Sequence, residues 1–147
     1  MNTSYDFNKF LLTTRFIHFA LILGLVMFCG VALFITGKQM SFMPDFGNPV
    51  IIVALLGCII TIGLSFVVPV IYRKVTPLPA DIRAALQHYQ AFCMVRWAVI
   101  EGGALFSGLV ILLTKNVLPL GFFVISTSFL IYRYPSQKEF IAVTEKR

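Results

Sequence analysis

Apolar residues are gathered into four long segments, and short polar stretches separate them. The segments cover about 12–36, 49–72, 92–114 and 117–133. An α-helix needs about 20 mostly apolar residues to cross a hydrocarbon core roughly 30 Å thick, and only the fourth segment is short by that measure. The pattern predicts an all-α polytopic membrane protein with four transmembrane helices, paired as two helical hairpins in a single domain over 1–147.

Turn-forming residues lie at the predicted helix ends. Gly37 follows the first segment, and Pro49 stands in the favoured first turn of the second. Asp81 is a suitable N-cap for a long third helix. The short connection KNVLP, at 115–119, joins the third helix to the fourth, so these two helices are expected to form a tight hairpin.

The beginning of the third helix, over about 81–91, is amphipathic. Its apolar residues recur at helical spacing, and polar residues occupy the opposite side. The apolar set is Ile82, Ala85, Leu86 and Tyr89, and the polar set is Arg83, Gln87, His88 and Gln90. Such a helix is typical of the membrane interface, so we expect an interfacial helix that continues into the third span.

The last segment, 134–147, is polar. It is expected to be a cytoplasmic tail with room for one amphipathic turn around 140–143. Chain ends that are not tied down are commonly poorly ordered, so partial disorder is predicted here.

The distribution of Lys and Arg predicts the orientation. Four spans place both termini on one side, and basic residues in short loops favour the cytoplasm. Lys38 and Lys115 fall on the far side. The side of the termini carries Lys9, Arg15, Arg73, Lys74, Arg83, Arg96, Arg133, Lys138, Lys146 and Arg147. We therefore expect a multi-pass protein of the bacterial inner (plasma) membrane with both termini cytoplasmic, and we attribute its net charge to this topology rather than to nucleic-acid binding.

Motifs of known enzyme and metal sites are absent from the sequence. Cys29, Cys58 and Cys93 lie within apolar segments at spacings that match no metal motif. No phosphate-binding loop, Ser-His-Asp set, zinc spacing or carboxylate pair occurs. We expect a non-enzymatic protein without catalytic residues, metal or cofactor, whose thiols are reduced packing residues.

Glu101 is the residue that most constrains function. It lies near the middle of the third span. A charged side chain there costs about 2.5–3.5 kcal/mol on insertion scales, so such residues usually face protein or a water-filled cavity and often mark a functional path. An acid in this position is also a candidate proton carrier.

Three basic residues are expected near Glu101. Arg96 precedes it by five residues on the same helix, so the two side chains point about 140° apart and a direct pair is disfavoured. The first helix places Arg15 at its cytoplasmic boundary and His18 one turn deeper. The predicted intramembrane polar cluster therefore comprises Glu101, Arg96, Arg15 and His18. A plainer interpretation is that the arginines extend to lipid phosphate while a neutral, hydrogen-bonded Glu101 locks the hairpins together.

Small residues surround Glu101 and allow another helix to approach closely. The predicted helix-packing face consists of Ala98, Gly102, Gly103, Ala104, Ser107 and Gly108. The packing could be internal or between protomers.

The stretch 98–113, AVIEGGALFSGLVILL, resembles the ion-carrying helix of the rotor-ring proteolipids, subunit c of rotary ATPases. The resemblance implies that Glu101 would bind and release a proton or sodium ion. It covers this helix alone, because the irregular spacing of Gly24, Gly30 and Gly37 gives the first helix no glycine-repeat face. We attribute the likeness to convergence on one packing solution.

The first helix opens with Arg-x-x-His at Arg15 and His18 and ends in Thr-Gly at Thr36 and Gly37. This pattern resembles small cytochrome b membrane anchors. Two neutral imidazoles can ligate a haem, and with two histidines the resemblance implies at most one bis-His haem. The interpretation that we favour has His18 hydrogen-bonded in the polar cluster and His88 solvated.

The leading hypothesis is a small, non-enzymatic four-helix inner-membrane protein that serves as an accessory or scaffold subunit. It would pack through Glu101 and the small residues of the third helix, as a homo-oligomer or within a larger membrane complex in the lipid bilayer. One alternative is a proton- or ion-handling membrane protein in which Glu101 titrates. A third is a b-type membrane electron carrier with a single haem.

Overall fold

The computed structural model describes residues 3–76 and 81–144. In this part of the chain the helices are α1 (Thr3–Thr36), α2 (Pro49–Val75), α3 (Ile82–Thr114), α4 (Leu118–Tyr132) and α5 (Gln137–Thr144), with a 3-10 turn over Gly37–Gln39. α1, α2 and α3 are long and apolar enough to cross a membrane, and α4 is apolar but has only 15 residues. The prediction of an all-helical protein is thus confirmed for the described residues, which contain a single isolated bridge and no strand.

Local interactions set the ends of the helices. Asn48 caps α2 because its Oδ1 accepts a hydrogen bond from the Val50 N–H at 3.0 Å. Asp81 caps α3, where its carboxylate accepts from the Ala84 N–H at 3.4 Å. Lys115 ends α3 in the left-handed conformation, with a φ of 52°. The reversal at Lys115 turns the chain directly into α4.

α3 is the central helix of the bundle, because it contacts α1, α2, α4 and α5. The main core, where α3 meets α1 and α4, consists of Leu25, Cys29, Tyr89, Phe92, Cys93, Trp97, Ile100, Ala104, Phe123 and Leu130. A smaller core joins α2 to α3 through Ile51, Ala54 and Val110. In hydrocarbon such packing is held by van der Waals contact, so close shape fit between the helices matters more than the area buried.

The loop that follows α1 is bonded to the connection between α3 and α4. Ser41 donates its N–H to Lys115 O at 2.8 Å, and its carbonyl accepts from the Val117 N–H at 3.0 Å. Asn116 donates Nδ2 to Met43 O at 2.9 Å. These bonds gather both connections at one end of the bundle, here called the loop end. The opposite end, which carries α5, is called the α5 end.

The outer surfaces of the long helices are apolar. Phe34 is 90% exposed and Phe16 is 72% exposed. Other large apolar side chains exposed on α1 and α2 include Leu12, Phe19, Leu23, Val31, Ile52, Ile59, Phe66 and Ile71. Soluble proteins rarely expose continuous apolar patches of this extent, whereas a hydrocarbon solvent favours them. The surface therefore agrees with the apolar length of the helices in indicating a membrane protein.

The amphipathic start of α3 packs against the protein itself. Ala85, Leu86 and Tyr89 are buried as the predicted apolar face requires. On the predicted polar face Gln87 is exposed, whereas His88 and Gln90 are half-buried. α3 is continuous from this segment into its apolar part. The side chains predicted at positions 82–83 lie outside the described residues. The apolar face of this first part of α3 thus packs against the rest of the bundle.

An eight-residue helix, α5, takes the place of the partly disordered tail that was expected after α4. The ring of Phe140 lies 5.2 Å from that of Phe7 on α1 and 5.4 Å from that of Tyr89 on α3, measured between ring centroids. The sequence predicted at most one amphipathic turn here. Contacts with α1 and α3, which are distant in the sequence, stabilise a longer helix instead.

Candidate functional site

Glu101 lies in the middle of the apolar part of α3 and is half-buried. It follows Phe92 by nine residues and precedes the end of the helix at Thr114 by thirteen. No hydrogen bond or ion pair between described residues involves its carboxylate. The acid therefore reaches the surface of the bundle at a depth where hydrocarbon would surround it.

A strip of exposed residues runs along α3 beside Glu101. We call it the α3 outer face, and it consists of Val95, Ala98, Gly102, Leu105 and Leu109. Consecutive members are three, four, three and four residues apart, which is the spacing of a helix-packing stripe. The pair Ala98 and Gly102 matches the small-xxx-small pattern that lets helix backbones approach each other in membranes. Among the described residues, nothing covers this strip.

The packing face predicted from sequence is divided between the inside and the outside of the protein. Ala98 and Gly102 belong to the exposed strip. Four members are buried within the bundle, and they are Gly103, Ala104, Ser107 and Gly108. Ser107 returns its hydroxyl hydrogen bond to the Gly103 carbonyl at 2.9 Å, as hydroxyls in spans commonly do. The small residues thus serve internal packing on one side of α3 and leave a free strip on another.

Two of the buried glycines are required by close helix contacts. A Cβ at Gly103 would overlap the Thr61 hydroxyl and lie 3.1 Å from the Thr61 Cβ on α2. A Cβ at Gly108 would lie 2.5 Å from Cε1 of Phe28 on α1. Real Cβ atoms essentially never come that close, so α3 can pack against both neighbours only without these side chains.

Arg96 pairs with an acid that was not predicted. Its Nη1 donates to Glu139 Oε1 at 2.5 Å, and its Nη2 donates to Glu139 Oε2 at 3.4 Å. The side chain of Arg96 is only 3% exposed, so it does not extend to lipid phosphate as the plainer interpretation supposed. Glu101 does not take part in this contact, because it points about 140° away on the same helix and α5 covers the Arg96 side.

Glu139 is held by further hydrogen bonds. The Tyr89 hydroxyl donates to Glu139 Oε2 at 3.2 Å, and it also lies 3.4 Å from the Ser136 carbonyl oxygen. The Ser136 hydroxyl accepts from the Glu139 N–H at 3.2 Å at the beginning of α5. The carboxylate of Glu139 therefore joins α3 to α5 through both a cation and a phenol.

Arg15 and His18 meet at Tyr134, between α4 and α5. The Arg15 guanidinium lies 5.2 Å from the centre of the Tyr134 ring, and its Nε donates to Pro135 O at 3.4 Å. The His18 ring packs edge-on to Tyr134, with 5.9 Å between ring centroids. These two predicted site residues are thus close together, but around an aromatic side chain instead of Glu101.

The His18 imidazole is enclosed without a hydrogen bond. Its ring centroid is 4.5 Å from that of Trp97, and the residue is 1% exposed. Neither ring nitrogen has a hydrogen-bond partner in the described part of the protein. The expectation that His18 is hydrogen-bonded in a polar cluster was wrong, because aromatic rings pack around the imidazole and neither ring nitrogen reaches a partner among the described residues.

His88 is half-buried and both of its ring nitrogens are enclosed, contrary to the expectation that it is solvated. Its ring lies 4.8 Å from that of Tyr72 on α2, and neither of its nitrogens is bonded within the described residues. His88 and Trp97 are nine residues apart on α3, so they lie on opposite sides of the helix and about 13.5 Å apart along it. Because His18 packs on Trp97, the structure does not bring the two histidines together.

Arg133 also lies at the α5 end of the bundle. Its guanidinium lies 4.5 Å from the centre of the Phe66 ring on α2 and 5.0 Å from that of Phe129. Its carbonyl accepts a hydrogen bond from Trp97 Nε1 at 3.2 Å. The residues that follow α4 therefore contact α1, α2 and α3, and the polar cluster is centred on this connection.

Glu139, Tyr134 and Pro135 were missed by the sequence analysis. A buried arginine needs a carboxylate, and the chain offers only six acidic residues. The signal that could have identified Glu139 is its position directly before Phe140, where the predicted amphipathic turn begins. The proline and tyrosine carry no such signal, since their role depends on how the chain turns after α4.

No family model, curated protein or solved structure matches this chain.

Proposed function

We propose that all four apolar helices cross the bacterial inner membrane and that both termini are cytoplasmic. The distribution of basic residues supports this orientation. Lys38 and Lys115 are at the loop end. The described basic residues at the α5 end are Lys9, Arg15, Lys74, Arg96, Arg133 and Lys138. The side chains predicted at Arg73, Arg83, Lys146 and Arg147 lie outside the described residues. With 15 residues, α4 spans the core only if the flanking Arg133 and Asn116 mark its two interfaces.

The function that the geometry supports best is that of a non-enzymatic accessory or scaffold subunit that self-associates through the α3 outer face. The observation that carries this proposal is the half-buried carboxyl of Glu101, which has no partner among the described residues and borders an uncovered packing strip. Of the other predicted cluster members, Arg96 is already paired with Glu139, and Arg15 contacts Tyr134 and Pro135. Glu101 is therefore available for an intermolecular contact.

A second copy of the chain would satisfy both features. An acid exposed to hydrocarbon costs about 2.5–3.5 kcal/mol on insertion scales, and a hydrogen bond between two protonated carboxyls across an interface would lower that cost. Ala98 and Gly102 would allow the two α3 backbones to approach closely. Val95, Leu105 and Leu109 would then interdigitate above and below them.

The test is the association constant of the purified protein in lipid nanodiscs or liposomes, measured by energy transfer between labelled copies. Gly102→Leu should weaken association at least about tenfold, because a large side chain separates the helices. Gly63→Leu on α2 is the matched control, since a Cβ at either glycine meets no atom within 4 Å. Equal association of these two variants, or a monomeric wild-type protein, would overturn the proposal.

Glu101 is tested with two further variants. Glu101→Gln keeps a hydrogen-bonding group and should retain part of the association, whereas Glu101→Leu should lose it if the carboxyl contact is used. Both changes place an uncharged side chain at a half-buried position, so the monomer should remain folded. If both variants associate like the wild type, the α3 outer face does not act through its acid.

The alternative of proton or ion handling rests on the exposure of Glu101 alone. It has less support, because the basic residues expected to tune this acid contact Glu139 and Tyr134 instead. Acid-dependent flux into liposomes that disappears in Glu101→Gln would favour this alternative over the scaffold function. Flux equal to that of protein-free liposomes would exclude it.

A further inference from the structure

Positive charge exceeds negative charge where α4 ends. Among the described residues of this region, Arg15, Arg96 and Arg133 are cations and Glu139 is the carboxylate. Glu139 is bonded to Arg96 through both of its oxygens. Arg15 donates its Nε to the Pro135 carbonyl, whereas the Nε of Arg133 has no partner. Within this described group, Arg133 is therefore the cation whose charge and hydrogen bonds are least satisfied.

The Arg133 guanidinium lies between α2 and α4 at the surface of the bundle. It is 4.5 Å from the centre of the Phe66 ring on α2, and on α4 it is 5.0 Å from that of Phe129 and 6.0 Å from that of Tyr132. Aromatic rings attract a cation but leave its N–H groups without strong acceptors. The Arg133 Nε is enclosed, but Nη1 and Nη2 are not, and no described residue accepts a hydrogen bond from them. The side chain thus presents two accessible donors to an occupant outside the bundle.

The depth of this guanidinium corresponds to the level of lipid phosphate. α2 begins at Pro49, and Phe66 follows seventeen residues later, which is about 25 Å along a helix. A hydrocarbon core roughly 30 Å thick that starts at Pro49 ends about one turn beyond Phe66, and the phosphates of that leaflet lie directly outside it. The Phe66 ring is 54% exposed and the Tyr132 side chain is 78% exposed, so lipid reaches this place.

We propose that the Arg133 guanidinium binds the phosphodiester of an anionic phospholipid in the leaflet at the α5 end, with Nη1 and Nη2 donating to phosphate oxygens. Arginine suits phosphate because its planar fork can donate two parallel hydrogen bonds. A net negative headgroup is favoured over a zwitterionic one, because Glu139, the described carboxylate of this region, is already bonded to Arg96 and is not free to accept an ammonium group. The site shares no residue with the α3 outer face, so it does not depend on self-association.

Ligand-dependent thermal stability tests this site. Purified protein in an uncharged detergent, stripped of lipid, is titrated with short-chain phosphatidylglycerol, with phosphatidylcholine of the same chain length, or with inorganic phosphate. Phosphatidylglycerol should raise the melting temperature with saturation, because a ligand of the folded state stabilises it. Phosphatidylcholine should bind at least about tenfold more weakly. Inorganic phosphate should cause no saturable rise, which distinguishes a lipid headgroup from free phosphate.

Variants assign the response to Arg133. Arg133→Gln removes the charge but keeps the backbone carbonyl that accepts from Trp97 Nε1, so the end of α4 should remain folded. It should weaken phosphatidylglycerol binding at least about tenfold, and native mass spectrometry should show one fewer bound lipid than in the wild type. Arg15→Gln is the matched control, because it removes another cation from the same end of the bundle. It should change the binding constant less than about twofold.

Arg133→Lys keeps the proposal falsifiable if Arg133→Gln does not fold. It retains the charge but not the planar fork, so its binding should lie between those of Arg133→Gln and the wild type and at least about threefold below the wild type. Arg15→Lys should bind like the wild type. Unchanged binding in the Arg133 variants, an equal loss in the Arg15 variants, or an equal response to phosphatidylcholine or inorganic phosphate would overturn the proposal.

Discussion

Arg96 on α3 and Glu139 on α5 form an ion pair with 2.5 Å between Nη1 and Oε1, although 43 residues separate them in the chain. The arginine side chain is 3% exposed and the glutamate side chain is 26% exposed. A guanidinium buried to this extent requires a carboxylate. The burial of Arg96 and the docking of α5 are therefore mutually dependent.

The first prediction concerns the removal of this carboxylate. Glu139→Gln should lower the free energy of unfolding by about 2–3 kcal/mol, because it leaves a buried cation without its charge partner while one end of the pair is partly open to solvent. Amide hydrogen exchange over α5 should accelerate at the same time. Lys138→Gln, at an exposed position on the same helix, should change the stability by less than about 0.5 kcal/mol. Equal effects of the two changes would show that the ion pair does not hold α5 in place.

The second prediction concerns the contact between α2 and α3. Gly103→Ala should destabilise the bundle by about 1–3 kcal/mol, because the added methyl group overlaps Thr61. Gly63→Ala, where the methyl group meets no atom within 4 Å, should have no such effect. Unfolding in a mixed detergent series measures both. Adding Thr61→Ala to Gly103→Ala should restore at least half of the loss, and failure to do so would locate the strain elsewhere.

The third prediction concerns the hydrogen bond from Trp97 to the end of α4. Trp97→Phe should cost about 2 kcal/mol, since it removes part of a fully buried ring and leaves the Arg133 carbonyl without its donor. Tyr132→Phe removes a polar group from a side chain that is 78% exposed and should cost less than about 0.5 kcal/mol. Thermal unfolding followed by circular dichroism distinguishes them. A similar loss in both variants would mean that the indole contributes little to holding α4.

The fourth prediction concerns the orientation in the membrane. The native cysteines, Cys29, Cys58 and Cys93, are buried and should not react with a membrane-impermeant maleimide. Lys38→Cys at the loop end should be labelled in cells whose outer membrane has been opened while the inner membrane is intact. Lys138→Cys on α5 should be labelled only after the membrane is permeabilised. The opposite pattern would reverse the proposed topology.

The helices themselves were predictable because their signals are local. In hydrocarbon each backbone polar group must be bonded within its own segment, so a long apolar run is a helix regardless of what it packs against. Capping and reversal at Asn48, Asp81 and Lys115 are equally local, and the helix ends at Pro49 and Thr36 agree with the predicted ones. α1 also includes residues before the apolar segment, since it begins at Thr3.

The site was only partly predictable. Arg15, His18 and Arg96 do lie together at one end of the bundle, as expected from their depths along α1 and α3. Their partners, Glu139 and Tyr134, could not be derived in the same way. Helical periodicity gives the face on which a residue lies on its own helix, but it says nothing about which distant segment covers that face. The enclosure of the His88 ring nitrogens was missed for the same reason.

Sequence alone determined the class of the protein, the number of apolar helices and the presence of an unusual acid, Glu101, inside one of them. Tertiary structure decided which acid neutralises Arg96, which small residues of α3 are internal, and that Glu101 and the His18 nitrogens remain without partners among the described residues. The physical reason is that apolar length and capping are properties of consecutive residues. The partners of a buried charge or imidazole depend on how closely separate helices approach each other. That approach depends on shape fit at glycines such as Gly103 and Gly108.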